Sequence, residues 1–72
     1  MFYVIEILKE KLNISSEKIN KFASLREAQS YFYKQYGTAL GDDSHIDYLI
    51  MLMDNTGTIY NVEHFENENN SL

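Results

Sequence analysis

The chain contains no cysteine. That excludes disulfides and any zinc site built on thiolates, and it fits a reducing compartment. Basic residues are also few: 6 Lys and Arg stand against 11 Asp and Glu, for a net charge of −5. Sequence-independent nucleic-acid binding neutralises phosphates with Lys and Arg, so this balance argues against direct nucleic-acid binding and favours basic protein partners. No apolar run approaches the roughly 20 residues that a membrane span needs. The apolar stretch from Met1 to Leu8 lacks a basic leader and a small-residue cleavage site, so it reads as a strand rather than a signal peptide. The expectation is a cytoplasmic protein.

What is present points to a folded domain. Hydrophobic residues make up 44 % of the 72 positions, including 6 Tyr and 4 Phe, and disordered chains are poor in such residues. The length suits one domain, expected over residues 1–65, with residues 66–72 as a disordered, Asn-rich acidic tail. A core of this size is marginal. With disulfides excluded, oligomerisation is the staple left to a small scaffold.

Phe2-Tyr3-Val4-Ile5-Glu6-Ile7-Leu8 is aromatic and β-branched and predicts a strand. Lys18–Phe22 predicts either a short strand returning along the first or a helical turn capped by Ser16. Ser24-Leu25-Arg26-Glu27 is a capping box. Behind it Leu25, Ala28, Phe32, Tyr36 and Ala39 follow at helical spacing, flanked by Tyr31 and Tyr33. The helix should end between Gly37 and Gly41, where glycine can take the left-handed conformation. Tyr48–Met53 predicts a strand apolar on both faces. Asp54-Asn55-Thr56-Gly57 then predicts a turn, and Thr58–Phe65 the return strand of a hairpin. The fold class is α+β, a mainly antiparallel sheet with one helix on one face in the order ββαββ. The alternative is βαββ.

The opening Phe2-Tyr3-Val4-Ile5-Glu6-Ile7 resembles the first strand of small uncharacterised proteins of phages and prophages. A capped helix with Glu27-Ala28 and an aromatic at Tyr31, and an apolar strand followed by Gly57, continue the resemblance over most of residues 2–63. It implies a mobile-element protein in a bacterial host cytoplasm, with no functional residues to carry over. The loop with Asp42, Asp43 and Asp47 is more acidic than that pattern.

The residues offer little chemistry. Asp42-Asp43-Ser44-His45-Ile46-Asp47 holds carboxylates and an imidazole without the spacing of a known metal site. Asp54-Asn55-Thr56-Gly57 starts like a calcium loop, but position 65 is Phe where the distal Glu should stand. His45 and His64 have no Ser or Cys nucleophile beside them, and Ser24 serves as an N-cap. Tyr31, Tyr33 and Tyr36 lack the basic groove that base-stacking aromatics need. Catalytic residues, metal ligands and cofactors are therefore expected to be absent.

The sheet is the informative feature. If Glu6 points away from the helix, then Tyr3, Ile5, Ile7, Leu49, Met51, Met53, Tyr60 and Val62 face it. The open face then carries Phe2, Val4, Leu8, Tyr48, Ile50, Leu52 and Ile59, a patch large enough to bind another molecule unless the C-terminal tail or the Lys9–Ala23 segment covers it. A homodimer is the default, because two-fold dimers are the commonest oligomers. The functional expectation is a non-enzymatic interaction protein that self-associates through this face. A sharper form is an acidic inhibitor of a basic host protein, using Asp42, Asp43, Asp47 and Glu63, with Glu66 and Glu68 nearby. The alternative is a small-ligand-binding or sequestering protein with a pocket at the oligomer interface.

Overall fold

The structure is a computed structural model that describes residues 1–10, 15–41 and 45–66, without the side chains of residues 10, 45 and 46. Its elements are β1 (Phe2–Glu10), β2 (Ser15–Phe22), α1 (Leu25–Leu40), β3 (His45–Asp54) and β4 (Ile59–Glu66). They form a ββαββ fold: one antiparallel sheet in the order β2-β1-β3-β4, with α1 packed on one face. The segment before the helix is thus a strand paired along β1, with Phe2 opposite Phe22 and Lys9 opposite Ser15. Strand β4 runs through Glu66, one residue beyond the expected domain end, and the rest of the proposed tail lies outside the described residues.

Helix α1 forms for the reasons its sequence announces. Ser24 is extended, and its Oγ accepts from the Glu27 amide at 3.2 Å, satisfying one of the free N–H groups of the first turn. Ala28, Phe32 and Ala39 are buried, and Leu25, Tyr31 and Tyr36 pack around them. The helix ends at Leu40 with Gly41 as its cap, within the expected range, but the glycine is not left-handed. Gly41 sits at φ −88°, in the right-handed region, and its amide bonds the Thr38 carbonyl at 3.2 Å. The positive-φ glycine is Gly57, at +91° in the β3–β4 turn, where residues with a Cβ are disfavoured.

The main correction concerns which face of the sheet is inside. Val4, Leu8, Tyr48, Ile50 and Leu52 are buried beneath α1, and Phe2 packs beside them. Glu6 points inward with them and is 3 % exposed. Burying a carboxylate costs several kcal/mol unless it is bonded. Here the Tyr48 hydroxyl donates to Glu6 Oε1 at 2.7 Å across the central strand pair. The same face also collects the large rings. Phe22 from β2 stacks on Tyr31 at 5.1 Å, and Phe65 from β4 lies 5.5 Å from Tyr48. Fully burying one such ring stabilises by about 1.5–3 kcal/mol. Several of them, together with a donor for the carboxylate, outweigh the rule that charge stays outside.

Polar side chains tie the helix to both sheet edges. Asn20 on β2 donates to the Tyr31 hydroxyl at 2.9 Å. Asn61 on β4 donates to the Tyr33 hydroxyl at 2.9 Å and accepts from Gln29 at 3.4 Å. Burial first, then the bond to Glu6, pushes the Tyr48 phenol well above its ordinary range, and burial beside Glu6 raises Tyr31 as well. Glu6 Oε2 is buried and has no hydrogen-bond partner among the described residues.

The Glu6–Tyr48 contact makes a direct prediction. Tyr48→Phe removes the donor from a buried carboxyl and should destabilise the fold by about 1–3 kcal/mol. Glu6→Gln keeps an acceptor for the phenol and removes the charge, so it should cost less than Tyr48→Phe. Urea denaturation of both variants measures the order, and a Glu6→Gln variant less stable than Tyr48→Phe would contradict this account.

Candidate interaction surface

In an antiparallel sheet, directly opposed residues point to the same side. The register therefore writes the face away from α1 as four rows across β2, β1, β3 and β4. The first is Lys21, Tyr3, Met53 and Ile59; the second is Ile19, Ile5, Met51 and Val62. The third is Glu17, Ile7, Leu49 and His64; the fourth is Ser15, Lys9, Asp47 and Glu66. The middle of this face is apolar, one end is charged, and among the described residues no element packs across it. Ile19, Ile59 and Val62 are 61 %, 55 % and 53 % exposed, and Ile7 is 42 % exposed.

An apolar sheet face that the described residues leave uncovered is thus present, but its residues are largely the opposite of those expected. Of the proposed interface set, Val4, Leu8, Tyr48, Ile50 and Leu52 belong to the core and Phe2 borders it. Ile59 alone of that set stands on the open face, opposite Met53. Tyr3, Ile5, Ile7, Leu49, Met51, Met53 and Val62, assigned to the helix side, form the open face instead. Tyr60 was assigned with them, and a bulge between Leu52 and Met53 separates it from their alternation. Its ring meets Phe2 at 5.8 Å, on the edge of the core. A bulge places two residues opposite one and breaks the period-two pattern, so Tyr60 keeps the helix side assigned to it while the residues grouped with it do not.

The proposed acidic surface divides for the same geometric reason. Asp47 lies in the fourth row of the open face, beside Lys9 and Glu66. Glu63 is opposite Ile50 and so projects to the helix side. Asp42 and Asp43, like Glu68, lie outside the described residues. The side chain of His45 lies outside them as well, and among the described residues His64 makes a side-chain contact of its own.

That contact is with Asp47: His64 Nε2 lies 2.5 Å from Asp47 Oδ1, with both side chains about half exposed. Glu66 is adjacent, and one ligand atom from each of the three residues falls within 4.8 Å of the others. A nitrogen and two carboxylate oxygens could hold a divalent cation only by sharing the Asp47–His64 contact. Exposed acidic groups commonly gather without a metal. The sequence did not show this cluster, because 17 residues separate Asp47 from His64.

Asp54 is spent on the turn. Its Oδ1 accepts from the Thr56 amide at 2.8 Å, the Thr56 hydroxyl at 2.6 Å and the Thr58 amide at 3.1 Å, and Oδ2 accepts from the Tyr60 hydroxyl at 2.8 Å. These bonds, the Thr56 side chain foremost, lower the Asp54 pKa from 3.8 to about 2. The bond to Asp54 in turn raises the Tyr60 phenol. The calcium-loop resemblance thus resolves into a self-satisfied hairpin turn, with Asp54 and Thr58 bonded backbone to backbone at 3.0 Å.

No family model, curated protein or solved structure matches this chain. No helix among the described residues is long and apolar enough to cross a membrane.

Asp54 gives the fold a defined acid dependence. Its folded pKa is depressed, so its contribution is complete above the ordinary value of 3.8 and is lost as pH falls through about 2. Asp54→Asn should lower the thermal midpoint at neutral pH. It should also flatten the decline in stability between about pH 4 and about pH 2. Parallel thermal melts of wild type and variant check this. Equal slopes in that window would show that Asp54 is not the group responsible.

Proposed function

We propose that this chain is a non-enzymatic interaction protein that works through its open sheet face and self-associates there. The observation that carries the proposal is the apolar centre of that face. The second row is apolar from edge to edge, and apolar residues of the first and third rows border it on both sides. Contiguous patches of this kind on small domains mark interaction sites. The strand spacing and rise give the four rows a plan area of about 500 Å². Two such faces in contact bury roughly the 1,000 Å² that a specific interface needs. Burial of that area also supplies stability that a small core lacks.

Size-exclusion chromatography with light scattering tests the reading. A mass near twice 8.5 kDa, reverting to monomer on dilution through the micromolar range, is the expected result. Met51→Lys and Val62→Lys place a charge on the second row. Each should weaken association at least about 10-fold while changing monomer stability by about 0.5 kcal/mol or less. A monomer at every concentration up to about 100 μM would overturn self-association through this face.

A further inference from the structure

We infer that the partner on the open face is a second copy related by a two-fold axis that runs along the strands, between β1 and β3. This rests on the self-association proposed above and specifies its geometry. Sheets that pack face to face and aligned keep their strand directions within about 30°. A face-to-face two-fold has its axis in the interface plane. Only two aligned choices remain: an axis along the strands or an axis across them. Full overlap of a four-stranded sheet requires the axis to pass through its middle, which is the seam between β1 and β3.

The two axes differ in what they oppose. An axis across the strands lays the first row on the fourth. It sets Tyr3 against Lys9, Met53 against Asp47 and Ile59 against Glu66 of the second copy, burying apolar surface on charge. An axis along the strands keeps each row on its own row and exchanges β1 with β3 and β2 with β4. Ile5 then meets Met51, Ile7 meets Leu49 and Ile19 meets Val62. The charged end becomes complementary as well: Lys9 meets Asp47, a contact made twice by symmetry, and the polar Glu17 and His64 face each other. A two-fold interface must be self-complementary. The seam axis leaves one charge against an apolar side chain, Lys21 on Ile59, where the other axis leaves Lys9, Asp47, Glu66 and Glu17 so placed. Charges arranged in this way fix the register of an interface.

Two full-length variants test the axis. Lys9→Glu alone sets the introduced carboxylate against Asp47 of the second copy at both contacts, and Asp47→Lys alone opposes two ammonium groups. Each homodimer should be weaker than wild type by about 10-fold. A mixed dimer of one Lys9→Glu copy and one Asp47→Lys copy restores opposite charges at both contacts. In an equimolar mixture with one copy isotope-labelled, native mass spectrometry should find about four-fifths or more of the dimers mixed, against the half given by random pairing. Circular dichroism confirms that each variant folds. Glu17→Lys with His64→Glu repeats the test at the edge strands, should either first variant fail to fold. Random pairing in a chain whose wild type dimerises would overturn the seam axis and leave self-association standing. A wild-type monomer would overturn both.

Discussion

The hydrogen bond from Tyr48 to Glu6 joins the two central strands and lets the ring-bearing side of the sheet be the inside despite its carboxylate. Side chains alternate along each strand, and opposed residues share a face. Fixing Glu6 inward therefore fixes Val4 and Leu8 with it, and through the register Tyr48, Ile50 and Leu52. The edge strands follow, bringing Phe22 and Phe65 beneath the helix. Everything left over becomes the outer face. The buried rings, with a donor for the one carboxyl among them, thus set both the core and the surface through which the protein is proposed to act.

The elements were legible because each rests on local chemistry. The Ser24 cap, the stripe from Leu25 to Ala39 and the turn at Asp54–Gly57 are all visible within a few residues. Sidedness was not legible. β1 and β3 are apolar on both faces, so alternation does not orient them, and the general expense of burying a carboxylate pointed the wrong way. Its donor stands 42 residues away. A usable signal did exist in the aromatic residues. Phe22 ends β2 and Phe65 lies near the end of β4, and both share a face with Phe2 and Tyr48. Weighing rings above a single charge would have chosen the observed face. The bulge that removes Tyr60 from the outer face is set by pairing geometry and has no comparable mark in the sequence.

The outer face gains its character from what the inner face takes. Apart from Tyr3, the rings of the strands turn to the inner face or its edge, while the outer rows keep mostly aliphatic side chains and methionines with a charged rim. Methionine is flexible and polarisable and adapts to an opposing surface. Most of the charge gathers at one end, where Lys9, Asp47, His64, Glu66 and Glu17 lie in neighbouring rows. That lopsided arrangement distinguishes one way of stacking two sheets from another, which a uniformly apolar face could not do.

The seam between β1 and β3 also separates two kinds of pairing by their distance along the chain. β1 with β2, and β3 with β4, are hairpins of neighbouring segments, whose closure costs little chain entropy. β1 meets β3 only after the intervening helix has spanned the sheet, a far longer closure. Rates of folding fall as such distant contacts come to dominate. On loop entropy alone, pairing β1 with β3 is the costliest closure in the sheet, and it is the one that brings Tyr48 to the Glu6 carboxyl.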